Sequence, residues 1–372
     1  MKLGILCTMI NGFGRRGYYN SQEIGLGRAL ARKGHEVMIY KGIDPSEKEE
    51  KVQVEKNLTI WYLPMKHLGA HGFMDCKNLD PQLKALFCFG DQQIFLPHVY
   101  RWCRRRRIPF AAYVGTAHSL DSNFKSKVMN ALFAAGTLRI YKKNPVLAKT
   151  SAAKEELRQL GIPHAVIAPV GLDTAVLKKN IPAVEKMRLR KEHGFEADDV
   201  ILCNVSRLSW EKRPLELIDL FLQVKGKKKF KLIIVGNGPL EEELNEKIRK
   251  NGLEKEVKIY PNVPYEKMWE IYEMSDHYLK MNKGEIFGMA IMEAVYYKTS
   301  VAAIRALGPS VTLKDMKGHK LCENDDEMAE WITGPYPSEK DLQESSEKMA
   351  ATFTWDRCAD AFLQASSEKS SR

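Results

Sequence analysis

Short apolar runs alternate along both halves of the chain with segments whose apolar positions recur at helical spacing. In the first half LGILCTM, HEVMIYKG, LTIWYLP, PFAAYVG and VLAK read as strands, and Tyr19 to Lys33 reads as a helix. In the second half VILCNVS, KLIIVG, VKIYPNV and HYLKM are strands. They are separated by helices at Pro214 to Lys225, Pro239 to Asn251 and Tyr265 to Met274, with a further helix running through Met292. Strands alternating with helices build parallel sheets. The pattern predicts an α/β protein of two doubly wound domains, residues 1–170 and 171–354, joined near Gly171 to Asn180. Ligands of such sheets bind in the loops beyond the strand carboxyl ends, so chemistry is expected there.

Composition narrows the class. The 372 residues are 44% hydrophobic and 28% charged, values of a globular chain with room for two cores. No apolar run reaches the ~20 residues of a membrane-spanning helix, and KLGILCTMI is too short for a secretion signal, so a cytoplasmic protein is expected. The seven cysteines are scattered and never spaced C-x-x-C, which predicts reduced buried thiols.

The net charge of +11 is unevenly distributed. Residues 1–170 hold 26 Lys and Arg against 13 Asp and Glu, whereas residues 171–372 hold 32 against 34. The excess is densest at Arg101 and Arg104 to Arg107 and recurs at Lys125, Lys127, Arg139, Lys142 and Lys143. It is either a solvated face or a surface for an anionic partner such as a phosphorylated acceptor or lipid headgroups. Phe124, Val128, Leu132 and Ala135 recur at helical spacing beside lysines, a pattern that suits a helix lying on a membrane and equally one facing the core. No aromatic stacking platform accompanies the basic residues, so nucleic acid is not expected as a partner.

The segment Glu285-Ile-Phe287-Gly288-Met289-Ala-Ile-Met-Glu293 follows the strand HYLKM and opens a helix. Helix amino termini attract anions, and glycine lets a phosphate approach the backbone. A ligand presenting sugar hydroxyls, then a diphosphate, then ribose hydroxyls fits this order of acid, cradle, acid. Arg207 and Lys212 stand in the loop after VILCNVS, where they could neutralise a departing diphosphate. Gly236-Asn-Gly238-Pro239 adds a tight turn after KLIIVG.

Arg207 with Lys212, the Gly-x-Gly-Pro turn, Glu285-x7-Glu293, Gly171-Leu-Asp173 and Phe353-Thr-Trp355 occur together in this order. The set resembles retaining glycosyltransferase family 4 (glycosyl transferases group 1) over nearly the whole chain. The resemblance implies the GT-B fold: two facing Rossmann-like domains with a cleft between them, the second holding the donor, and a last helix (355–372) that crosses back to the first. It implies that Arg207 and Lys212 bind the diphosphate, Glu293 the ribose, and Glu285 the donor sugar near the reacting carbon. Phe287, Gly288, Met289 and Gly236 would line the donor, and His118 would sit beside its sugar. The loop Gly12-Phe-Gly14-Arg15-Arg16-Gly17 would fold over the donor phosphates, with Arg15 and Arg16 either gripping an anionic acceptor or merely solvated.

The function so implied is metal-independent transfer of a sugar from a nucleotide diphosphate donor, UDP-linked, to a hydroxyl acceptor, with no cofactor. The basic first half suggests a saccharide or lipid-linked acceptor and peripheral contact with the inner face of an anionic membrane. Two alternatives belong to other reactions: an epimerase or phosphorylase of the same architecture, and a dinucleotide-dependent oxidoreductase suggested by G-x-G-x-x-G at Gly12. Against the latter, HEVMIYKG ends in Tyr40-Lys41, where a ribose-binding acid is expected for NAD. No Asp-x-Asp occurs, and Gly69 between His67 and His71 disfavours a helical metal pair.

Overall fold

The computed structural model describes residues 1–10, 22–117 and 124–367. Its first elements are β1 (Lys2–Cys7), α1 (Gln22–Arg32), β2 (Glu36–Ile43), β3 (Glu50–Glu55), β4 (Leu58–Pro64), and the small hairpin β5 (His67–Leu68) and β6 (His71–Gly72). There follow β7 (Ala85–Phe89), α2 (Leu96–Arg106), β8 (Phe110–Val114), α3 (Phe124–Ala135), α4 (Thr137–Tyr141), β9 (Val146–Ala148), α5 (Ser151–Gln159) and β10 (Val166–Ile167). The second set is α6 (Ala183–Glu192), β11 (Val200–Val205), α7 (Pro214–Val224), β12 (Phe230–Val235), α8 (Glu241–Lys250), β13 (Val257–Tyr260), α9 (Met268–Met274) and β14 (His277–Lys280). It closes with α10 (Met289–Tyr296), β15 (Ser300–Ile304), α11 (Leu307–Thr312), β16 (Lys320–Cys322), α12 (Asp325–Thr333) and α13 (Glu339–Thr352). The last helix is α14 (Trp355–Ser367).

The chain divides into two compact units, one running to Gly171 and regained at Phe353, the other spanning Leu172–Thr352. In the first, the strand order is β10-β9-β8-β7-β1-β2-β4-β3, parallel throughout except for the β3–β4 pair. Strand β7, ALFCF, escapes the alternation pattern above yet pairs directly with β1. The order in the second unit is β13-β12-β11-β14-β15-β16, all parallel. Counted within the unit this is 3-2-1-4-5-6, the Rossmann order, whose switch point falls between the first and fourth strands. The α/β class with two Rossmann-like units is as expected.

Each sheet has its own core. Leu6, Leu86, Cys88, Phe110 and Leu157 belong to the first, and Leu202, Leu217, Leu232, Ile234 and Leu279 to the second. Strands buried on both faces explain why these segments read as continuous apolar runs. Local signals set helix starts: Thr150 accepts from the Ala153 amide to cap α5, and Asn324 accepts from Glu327 to cap α12. All seven cysteines are buried free thiols.

The segment expected as one amphipathic helix is broken at Gly136 into α3 and α4. Of the two orientations open to the stripe, the outward one is observed. Met129 and Phe133 face the core, whereas Val128 (42% exposed), Leu132 (47%) and Ala135 face outward beside the exposed Lys127. Among the described residues no helix is long and apolar enough to cross a membrane.

Candidate active site

At the switch point of the second unit, the loops after β11 and β14 supply the charged groups. Lys212 ends a single 3-10 turn, Trp210–Lys212, and Glu285 lies between β14 and α10. The Lys212 Nζ is 3.3 Å from Glu285 Oε2, and Lys280 Nζ, from the last residue of β14, is 3.0 Å from the same oxygen. Lys280 was absent from the sequence reading; its side chain is only 6% exposed. Burial raises the Glu285 pKa, but the two lysines overcompensate and lower it to about 2. Burial lowers the Lys280 pKa, and Glu285 only partly restores it. The cluster sets two lysines against one carboxylate, a formal local excess of one positive charge.

The backbone is shaped around this cluster. Gly288 takes φ 88° at the amino end of α10, a left-handed conformation that side chains resist, and an added Cβ would crowd Ile291. The Glu285 carbonyl accepts from the Gly308 amide at 2.8 Å, and the ring of Phe287 is buried. Met289 and Ala290 are half-buried at the first turn of α10, where amides lack intrahelical acceptors. A preorganised amide end beside paired lysines can receive a phosphate-bearing ligand.

Glu293, one turn into α10, is buried, and the Tyr272 hydroxyl donates to its Oε2 at 2.8 Å. Tyr272 stacks on Tyr297 at 5.9 Å, so this acid sits in an aromatic nest. Arg207 lies apart from the Glu285 cluster. It is exposed and paired with Glu211 at 2.8 Å, and Ser209 also donates to that carboxylate. Gly236 is held by close backbone crossing: at φ 144° its missing Cβ leaves room for the Ser206 carbonyl. Hydrogen bonds from Leu208 to Asn237 and from Leu240 to Leu208, 2.9 and 3.0 Å, lock the two loops together.

His118, Gly14, Arg15 and Arg16 lie outside the described residues. The first unit nevertheless contains buried charge that sequence reasoning passed over. Lys149, just beyond β9, pairs with Asp91 beyond β7 at 2.7 Å, and Asp91 accepts from the Gly115 amide beyond β8. Lys41 in β2 pairs with Glu23 of α1, both less than a tenth exposed. A charged residue immediately after an apolar run was the available signal for Asp91 and Lys149. Among the described residues no cluster of three or more His, Cys, Asp or Glu is arranged to hold a metal.

Residues 185–348, most of the second unit, match the family model of glycosyl transferases group 1. The second unit thus resembles a group 1 glycosyltransferase domain. The D-inositol 3-phosphate glycosyltransferase of Xylanimonas cellulosilytica is 23% identical, with 97% of this chain and 94% of that protein aligned. An uncharacterised glycosyltransferase of Methanocaldococcus jannaschii is 22% identical over 74% of each. Sucrose-phosphate synthase of Thermosynechococcus elongatus superposes with a TM-score of 0.74 at 15% identity, covering 100% of this chain and 99% of that one. Anabaena HepE, solved with UDP and glucose, superposes at 0.71 with 16% identity, covering 99% and 100%. These neighbours share the GT-B architecture of two Rossmann-like units. The likeness to these proteins extends to the Rossmann order of the second unit.

Proposed function

We propose that this protein is a metal-independent, retaining glycosyltransferase of family 4 that moves a sugar from a UDP-linked donor to a hydroxyl acceptor. The observation that carries the reading is the Lys212–Glu285–Lys280 cluster beside the glycine-opened end of α10. Lys212 and Arg207 serve the diphosphate, Glu285 the donor sugar, and the α10 amides take phosphate oxygens in place of a metal. Glu293, steadied by Tyr272, accepts from the ribose hydroxyls. In a retaining transfer the departing diphosphate oxygen takes the proton of the incoming hydroxyl on the same face of the sugar. The hydroxyl oxygen bonds to the anomeric carbon as the carbon–phosphate-oxygen bond breaks, so no separate protein base is required.

The acceptor belongs to the first unit and is a saccharide or lipid-linked hydroxyl compound at an anionic membrane. The outward Val128 and Leu132 beside Lys127, and the run of arginines on α2, support that assignment. HepE in complex with UDP supports the choice of base.

A thermal-shift panel of UDP, GDP, ADP, CMP and NAD tests the donor reading. A ligand present at about 100 times its dissociation constant stabilises by about 2.7 kcal/mol, a rise of several degrees for units of this size. UDP is expected to give the largest rise, and Glu293→Gln to lose most of it. A rise with NAD alone would replace the transferase with a dinucleotide enzyme, and an unchanged UDP response in Glu293→Gln would remove that residue from the donor site.

A further inference from the structure

We propose that a groove on α2, distinct from the strand-end sites, binds a phosphate monoester group. The helix carries Arg101, Arg104, Arg105 and Arg106, its carboxyl cap is Arg107, and it has no acidic residue. Several surface cations elsewhere in this unit have acidic partners, as in Lys2 with Asp80, Arg28 with Glu55 and Arg158 with Glu155. Among the described residues none of these five α2 arginines lies within ion-pair distance of a carboxylate. The negative end of the helix dipole offsets part of their mutual repulsion but falls off within a turn. An anion would relieve the rest.

The arginines surround a defined space. A cavity of about 190 Å³ is lined by Cys76, His98, Arg101, Trp102 and Arg105. The four α2 positions are spaced i, i+3, i+4 and i+7 and therefore share one helix face. Trp102 and Cys76 are buried and form an apolar floor. Arg106 stacks on Trp102 with its guanidinium 4.7 Å from the ring, and His98 is held by stacking on Phe73 at 4.9 Å. Arg101 ties its Nε to the Pro97 carbonyl at 3.3 Å, which leaves its terminal nitrogens for a ligand. Asp75, next to Cys76 in the chain, accepts from the Lys77 amide.

The chemistry of the groove selects the ligand. A monoester phosphate is close to a dianion at neutral pH with three strong acceptor oxygens, which suits two arginine forks and an imidazole. A diester offers one charge and fewer free oxygens. The apolar floor would take the first atoms of the group that bears the phosphate. In the fold, α2 begins after the carboxyl end of β7 and runs down to the amino end of β8, so Arg105 lies toward the amino edge of the sheet. The groove is therefore separate from the Asp91–Lys149 edge, where substrates of such sheets bind.

Two ligand sources share this chemistry, a soluble phosphorylated metabolite and a lipid headgroup. Glycerol 3-phosphate is titrated calorimetrically, and co-sedimentation is measured with phosphatidylcholine vesicles containing either phosphatidic acid, a monoester, or phosphatidylglycerol, a diester. Saturable binding is expected in at least one monoester arm, weakened at least tenfold in Arg101→Gln/Arg105→Gln. Lys142→Gln/Lys143→Gln, with the same loss of charge elsewhere on this unit, should bind as wild type, and the UDP-induced thermal shift should be intact in both. Binding of glycerol 3-phosphate alone identifies a soluble ligand, and of phosphatidic acid vesicles alone a headgroup. Absence of binding in both monoester arms, equal binding of phosphatidylglycerol, or unaltered binding by the α2 double variant would each overturn the proposal, whatever the fate of the transferase reading.

Discussion

Lys212→Ala is expected to lower turnover by about 10²-fold or more while leaving the unfolding midpoint within a degree or two of wild type. The fold should survive because Lys280 remains to neutralise the buried Glu285 carboxylate at 3.0 Å. What disappears is the excess positive charge available to the departing diphosphate, and loss of one such electrostatic contact typically costs 10²- to 10³-fold, about 2.7 to 4 kcal/mol of barrier. Steady-state kinetics with the donor found by thermal shift checks this, and a wild-type rate would make Lys212 an ordinary surface lysine.

Lys280→Met separates positioning from charge at the same carboxylate. In wild type Glu285 stays ionised down to about pH 2, so its titration puts no limb on the mildly acidic side of the rate profile. Without Lys280 the burial term is less opposed, the Glu285 pKa moves up, and an acid limb should appear. Lys280→Arg should suppress it. A profile identical to wild type would reduce Lys280 to packing. The sign for stability follows from the same depression: Glu285 contributes stability above the ordinary carboxylate range, and this contribution is lost as pH falls toward about 2. Lys280, with its pKa lowered by burial, works in the opposite sense at neutral pH.

The two sheets were legible because buried parallel strands write themselves as apolar runs, and Glu285 to Glu293 was legible because its glycine opens a helix after such a run. Lys280 was not. Within HYLKM a lysine reads as a residue turned outward, and only the return of the β14–α10 loop five residues later places a carboxylate against it. The orientation of the α3 stripe stayed open in the sequence for a related reason. Phe124, Val128, Leu132 and Ala135 share a helical phase, but the face that meets the core is set by Met129 and Phe133. Asp91 was hidden because β7 was overlooked, and the Lys149–Asp91 pair joins residues 58 positions apart, beyond any local periodicity.

Trp355→Ala is expected to destabilise the first unit by about 3 to 5 kcal/mol, the usual cost of truncating a large buried aromatic, and to lower its unfolding midpoint by roughly 10 °C. Trp355 opens α14, is 0% exposed, and belongs to the unit formed by residues far upstream. Its indole occupies the space that the missing side chain of Gly25 leaves on α1, and the backbone at Gly171 abuts Thr354 and Trp355 equally closely. Farther along α14, Cys358 and Phe362 are fully buried, and Phe362 packs on Phe87 of β7. The final helix thus completes a core whose other members precede Gly171. Gly25→Ala should be destabilising as well, because its new Cβ would land on the indole. Trp355→Phe should be far milder than alanine: it keeps most of the ring volume and removes an Nε1 that makes no hydrogen bond among the described residues. Denaturant unfolding of the three variants, followed with and without UDP, distinguishes loss in this unit from loss in the nucleotide-binding one. Destabilisation below 1 kcal/mol for Trp355→Ala would mean that α14 is peripheral to the first core.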